Sequence, residues 1–497
     1  MTTSNPTRRQ FLAAAAAAPL AGRRDPGLIR RENRKPGAPD WQLTKVRLDK
    51  RGGARSPWIE GYCSHQSIEA GEKLRIMASA NPPGRFRIEI FRMGYYGGRG
   101  ARLMQTLGPL EAKPQPDPAV GPERLRECRW EPSAELAIPA DWPSGVYLGR
   151  LSRIPESATV HGWQSYIIFI VRDRRPADVL FQCSDNTWQA YNKWPDTYSL
   201  YTDPRHPWAP GVAVSFDRPY GLYPQISENP QSLGSGEFLW WEYPLCYWLE
   251  MHGYDVTYGG NLDMVRPEEA LRAKVFISVG HDEYWDRRQY DNALAAVKAG
   301  VTELYLSGNS VFGISPFLPA SDGRANRVIR REGVYGGVSK AEEEFFKIPF
   351  PVTAPDEALL MGAASPYPFN GGGDWIVVKP EHWIFAGTGM QKGDSIPGLV
   401  GWEFHGGPAN IPGLEVVAEG DALSGGVRPS HWTATIYPGP KGNFVFNAST
   451  IWWAQGLASP PGHVLPWSHW VRPHGPDPRV QRITQNLLRR AVAKRAG

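Results

Sequence analysis

Histidine and carboxylate two residues apart, in Gly280-His281-Asp282-Glu283-Tyr284-Trp285, follow directly on the apolar run of residues 274–279. Side chains of these types can hold a metal ion or move protons. A lone His-x-Glu is also what a capping histidine and a first-turn glutamate would look like, because a helix dipole favours both. Two further segments decide between these readings. Thr187-Trp188-Gln189-Ala190-Tyr191, with Tyr198-Ser199-Leu200-Tyr201 after it, follows the apolar residues 178–181. Ser307-Gly308-Asn309-Ser310 follows residues 303–306. If the three apolar runs are neighbouring strands, Tyr, His, Glu and Asn gather at one edge, where they are costly unless they bind something. Nucleophile chemistry has weaker support. No Gly-x-Ser-x-Gly elbow is present, Ser310 lacks the second glycine, and Cys183 has no adjacent glycine for a strained turn.

Two kinds of pattern would position these residues. From about residue 41 to 172 the chain reads as all-β. Lys73-Leu74-Arg75-Ile76-Met77 and Arg85-Phe86-Arg87-Ile88-Glu89-Ile90 alternate at period two, and turns such as Asn81-Pro82-Pro83-Gly84 separate the runs. That predicts an immunoglobulin-like sandwich over residues 41–172. Beyond the charged stretch 172–176, short apolar runs alternate with helix-like stretches at 238–251 and 286–299. This predicts an α/β part over residues 173–497, built on a doubly wound, mostly parallel sheet. In such a sheet ligands gather outside the carboxyl ends of the strands.

At these residues the sequence resembles the large (β) subunit of N,N-dimethylformamidase, in its C-terminal region, over most of the chain. Ile59-Glu60-Gly61-Tyr62-Cys63 and Met93-Gly94-Tyr95-Tyr96-Gly97-Gly98 are similar to the β-domain of that family. Residues 187–192, 278–285 and 306–310 are similar to its active-site segments. The resemblance implies a glutamine-amidotransferase-like α/β architecture and a mononuclear ferric (Fe3+) ion held by two tyrosines and one glutamate. It also implies hydrolysis of the C–N bond of a small linear amide. Glu283 matches the carboxylate ligand and Tyr191 one tyrosine. Tyr201 is the second, with Tyr198 as its competitor. His281 matches the proton-handling histidine, Asn309 a polar pocket residue and Glu403 a further catalytic carboxylate. The chain is shorter than the family's large subunit, so a small-subunit partner and self-association both stay open. A rival from another class is an exported carbohydrate or surface-ligand binding protein whose aromatics stack on sugars.

Composition agrees with a folded protein. Hydrophobic residues make up 41% and charged residues 21%, and the 53 Gly and 47 Pro carry no collagen-like period. The net charge of +5 is concentrated in the first 35 residues, so no nucleic-acid footprint is expected. The four cysteines form no C-x-x-C pair, which argues for free thiols rather than a thiolate metal site. Residues 1–40 read as a signal and linker: Thr7-Arg8-Arg9-Gln10-Phe11-Leu12 before an alanine run has the twin-arginine pattern, and residues 23–39 read as disordered. Periplasmic or exported placement is expected, with the cytoplasm as the alternative. No stretch is apolar and long enough for stable membrane insertion.

Overall fold

The structure, a computed structural model, describes residues 24–46, 53–155, 161–207, 209–222, 230–336, 355–425, 427–466 and 474–493. The twin-arginine pattern lies outside these residues. Two sheets face each other in the N-terminal half. One holds Glu60–Cys63, Lys73–Ser79 and Pro132–Ala137; the other holds Ser67–Glu69, Gln164–Arg172, Gly145–Arg153, Gly84–Met93 and Ala101–Ala112, in that order. Ile76, Phe86, Ile88, Leu151 and Ile167 fill the space between them. Gly145–Arg153 and Gln164–Arg172 are buried at every position, not alternately. Their second face, with Val146, Leu148 and Ile168, joins the main core, so the five-stranded sheet is covered on both sides.

The second half corrects the expected doubly wound α/β fold. Strand accounts for 35% of the described residues and helix for 19%, and the large sheet is mixed. Val256–Gly260, Ala177–Cys183, Ala273–Gly280, Thr302–Ser307 and Phe444–Asn447 run parallel. Arg428–Pro438, Glu415–Ser424, Asn370–Ile376 and Ser395–Glu403 then continue the same nine-stranded sheet antiparallel. Hairpin-type connections replace helical crossovers in this second half, which is why helix is scarce there. The central strand Ala273–Gly280 sends Val275, Ile277 and Val279 into one core cluster and Phe276 into another. Helix Arg287–Ala299 covers the latter; Asp286 caps its start by accepting from the Arg288 amide at 2.8 Å, and Gly300 ends it at φ +103°.

The disordered linker expected at residues 23–39 is also corrected. Leu28–Glu32 is a short helix with Ile29 and Glu32 buried. Asn33 after it donates to Glu250 at 2.8 Å and accepts from the Tyr95 and Tyr96 amides. Enough apolar and hydrogen-bonding partners exist to order a segment whose sequence has no periodicity of its own.

Several carboxyl groups are buried without a cation. Glu303, in the middle of a parallel strand, accepts from Tyr305 Oη at 2.7 Å, and burial pushes its carboxyl up to about 8. Between its ordinary value near 4.5 and about 8 the folded chain keeps a proton that the unfolded chain has lost. This contribution to stability is therefore full at low pH, falls as pH rises through that window, and is flat beyond it. Glu303→Gln, which cannot ionise, should raise the unfolding midpoint at pH 8, by a stability gain on the order of a few kcal/mol. The gain should shrink towards zero at pH 5. Equal changes at both pH values, followed by thermal melts, would contradict the assignment.

Candidate active site

The three parallel strands expected to be neighbours are adjacent, in the order Ala177–Cys183, Ala273–Gly280, Thr302–Ser307. The chain leaving Ala273–Gly280 turns at Gly280, whose φ is +71°. A Cβ there would lie 2.4 Å from Trp241 Cβ, so only glycine fits. Asp282 then fixes the turn: its carboxylate accepts from Ser278 Oγ at 2.8 Å, Asn261 Nδ2 at 3.0 Å and Gln182 Nε2. With Asp282 held inward, His281 and Glu283 flank it, and both are fully buried.

Tyr191 ends helix Asp185–Tyr191. The Glu283 amide donates to Thr187 Oγ1 on this helix at 3.0 Å, tying the two segments together. The Leu200 amide donates to the Ala190 carbonyl at 2.9 Å and brings Tyr201 alongside. Arg218 clamps the intervening loop by donating to the carbonyls of Asn192, Trp194 and Tyr198, each at 2.9 Å. The result is a pair of stacked phenol rings, 4.4 Å apart and 25° from parallel. Tyr191 Oη donates to Glu283 Oε2 at 2.8 Å and Tyr201 Oη to Glu283 Oε1 at 2.7 Å. Three oxygen-bearing side chains thus converge, one phenol on each carboxylate oxygen.

Glu403 reaches the same place from the far edge of the sheet. The antiparallel half curls back, so that the Ile451 amide donates to the Glu403 carbonyl at 3.2 Å and the His405 amide to Ser449 Oγ at 3.1 Å. Close approach to the other strand ends needs Gly308, where a Cβ would lie 2.2 Å from the Glu403 carbonyl oxygen. His281 Nε2 sits 2.6 Å from Glu403 Oε2 and 3.2 Å from Glu283 Oε2. Asn309, at φ +50°, donates from Nδ2 to Glu403 Oε2 at 3.3 Å. Ser365 Oγ donates to Asn309 Oδ1 at 2.8 Å, and this fixes which way the amide points.

Charge follows from these contacts. Burial disfavours a charged His281 ring, but the carboxylates of Glu403 and Glu283 outweigh it and hold the imidazolium well above the usual histidine range. Burial raises Glu403, and the His281 cation opposes it. Burial and then the Glu283 charge keep both Tyr191 and Tyr201 protonated far above the ordinary phenol range, consistent with their donating to Glu283.

His281, Glu283, Tyr191, Tyr201, Asn309 and Glu403 are therefore brought together. Tyr198 is not; its ring lies beneath Arg124 and Arg126, 5.0 and 4.5 Å away. Asn447 makes a turn-capping contact, accepting from the Ser449 amide at 2.9 Å. Four neighbours went unread in the sequence. Tyr284 Oη donates to Tyr201 Oη at 2.5 Å, and the Arg331 guanidinium lies 5.5 Å from the Tyr201 ring. His405 accepts from the Ser310 amide at Nε2, 3.0 Å, while Nδ1 faces Asn447 Oδ1 at 3.1 Å. Burial pushes it down to about 4, so it is a neutral support with its proton on Nδ1. Glu237 accepts from Trp241 Nε1 at 3.1 Å and is pushed up by burial to about 8. Only Tyr284 and His405 had a local signal, being one and two residues from Glu283 and Glu403.

The chain matches no curated protein. Solved structures similar to parts of it include two variant forms of the superoxide reductase (neelaredoxin) from Ignicoccus hospitalis. They are 15% and 12% identical, cover 26% and 25% of this chain and 94% of their own, and have TM-scores of 0.15, too low to carry an argument. The decisive match is to a family and spans residues 87–465, which include all six converging side chains. The chain belongs to the N,N-dimethylformamidase beta subunit-like, C-terminal family.

Proposed function

We propose that the protein is a metal-dependent hydrolase that cleaves the carbon–nitrogen bond of a small linear amide. Family membership supports amide hydrolysis. The observation that carries the finer reading is the convergence of Tyr191 and Tyr201 on the two oxygens of the buried Glu283 carboxylate. Two phenol oxygens and a carboxylate form a hard donor set suited to a ferric ion. A second set of nearby donors, His281, Glu283 and Glu403, could also hold a metal. We favour the tyrosine set, because its all-oxygen donors suit a hard ferric ion better than a set that includes an imidazole.

A bound ferric ion would supply Lewis acidity towards an amide carbonyl or a water. The remaining steps belong to the chain. Hydrolysis delivers hydroxide to the carbonyl carbon and a proton to the departing nitrogen. Glu403, held between His281 and Asn309, accepts a proton from water. His281, kept cationic, returns one to the amine. Asn309, whose Oδ1 is held by Ser365, orients Glu403. Among the described residues no helix is long and apolar enough to cross a membrane. Export by the twin-arginine route, read from Arg8 and Arg9, is part of the same proposal.

The test is a panel of small formamides and acetamides, scored by release of amine and acid from the iron-loaded protein. Turnover of at least one that disappears in Glu403→Gln is expected. Binding of amides or sugars without turnover would contradict the hydrolase reading.

A further inference from the structure

Tyr284 is fully buried beside the converging side chains. Its hydroxyl points at the oxygen of Tyr201, donating at 2.5 Å with the rings edge to face, 6.3 Å apart and at 74°. Behind it stands Arg331, also buried, whose positive charge favours electron density on the Tyr284 oxygen and whose Nη2 is anchored on the carbonyls of Ala209 and Pro207, at 2.8 and 2.9 Å. Hydrogen bonds therefore run in one direction, from Tyr284 to Tyr201 to Glu283, with the Arg331 charge behind them. A cation at the head of such a chain polarises each hydroxyl towards the next acceptor. Tyr284 itself is buried in one apolar cluster with Ala190, Leu200, Phe317 and Ile329.

We propose that Tyr284, backed by Arg331, is a positioning residue that acts through Tyr201: its donated hydrogen bond places the Tyr201 oxygen and sets how strongly that oxygen donates to a metal. This rests on Tyr201 being a ligand. When the Tyr201 proton gives way to a metal, the bond to Glu283 is lost but the one from Tyr284 can stay, because there Tyr201 is the acceptor. A phenolate that accepts a hydrogen bond is a poorer electron donor, so its charge-transfer absorption lies at higher energy than that of a bare phenolate.

The test compares visible spectra of the full chain loaded with ferric ion, with iron per chain measured alongside. Tyr284→Phe removes only the donor; its band should move to longer wavelength while iron content stays within about twofold of wild type. Arg331→Met, which weakens the donor without removing it, should shift the band the same way by less, and it serves should Tyr284→Phe fail to fold. Tyr437→Phe deletes a buried hydroxyl bonded to the Leu360 carbonyl and should leave the band in place. An unmoved band in Tyr284→Phe, or in Arg331→Met where only that variant folds, would overturn the role, as would an equal shift in Tyr437→Phe. A wild-type protein that takes up iron without colour would instead overturn the tyrosine ligation itself, a separate and recognisable failure.

Discussion

Glu283→Ala should give a protein that folds but no longer retains iron, with affinity lower by more than about 100-fold, beyond what losing a supporting partner of a ligand costs. Both phenol hydroxyls lose their acceptor at once, since each donates to a different oxygen of this one carboxylate. The backbone consequences are small, because the Glu283 amide and carbonyl keep their bonds to Thr187 and to the Phe312 and Gly313 amides. Iron content after desalting, with circular dichroism to confirm the fold, checks this. Glu403→Gln makes the contrast: it should lose turnover while keeping most of its iron. Equal iron retention in Glu283→Ala and wild type would remove the ligand assignment.

The second large effect is on stability. Arg92 and Glu250, both fully buried, pair through two contacts, Nη2 to Oε1 at 2.7 Å and Nη1 to Oε2 at 3.0 Å. The pair joins strand Gly84–Met93 of the sandwich to helix Tyr243–Met251 of the second half. Tyr258 Oη and Asn33 Nδ2 also donate to Glu250, and Arg92 donates to the Ser144 carbonyl and Tyr96 Oη. Glu250→Ala leaves a guanidinium in the core without its carboxylate and should cost about 3–5 kcal/mol. Replacing both residues by apolar ones, Arg92→Met with Glu250→Leu, should cost less than either single change, because no uncompensated charge remains. Denaturant unfolding of the three variants decides it. A double variant as damaged as the worse single would show that the ion pair itself, not the avoidance of a lone charge, holds the halves together.

What was legible in the sequence was whatever depends on one strand and the loop after it. Apolar runs ending in Gly280-His281, or followed by Gly308-Asn309, announce strands that stop at polar residues, and neighbouring parallel strands bring those residues together. The pairing of Tyr191 with Tyr201 on one carboxylate was legible only through the family resemblance, because the helix and the Arg218 clamp that pair them have no periodic signature. The antiparallel half was misread for a physical reason. Glu415–Ser424 and Asn370–Ile376 carry weak alternation, with exposed and half-buried positions interspersed and three glycines at 371–373. Their strand character comes from pairing, not from local propensity. Missing those strands made the sheet look mostly parallel and left Glu403 without a route to the site. Ser365, far away in sequence, could be placed only once that route existed, and Arg331 only through the pairing of Val328–Arg331 with Val212–Ser215.

The central claim is that two tyrosines and Glu283 hold a ferric ion. Titrating the metal-free protein with ferric ion while recording its visible spectrum tests this most directly. A charge-transfer band that grows to a limit at one iron per chain, and is absent from a Tyr191→Phe/Tyr201→Phe variant, is the predicted result. Iron bound at that stoichiometry without colour, or a band that persists in the double variant, would contradict it.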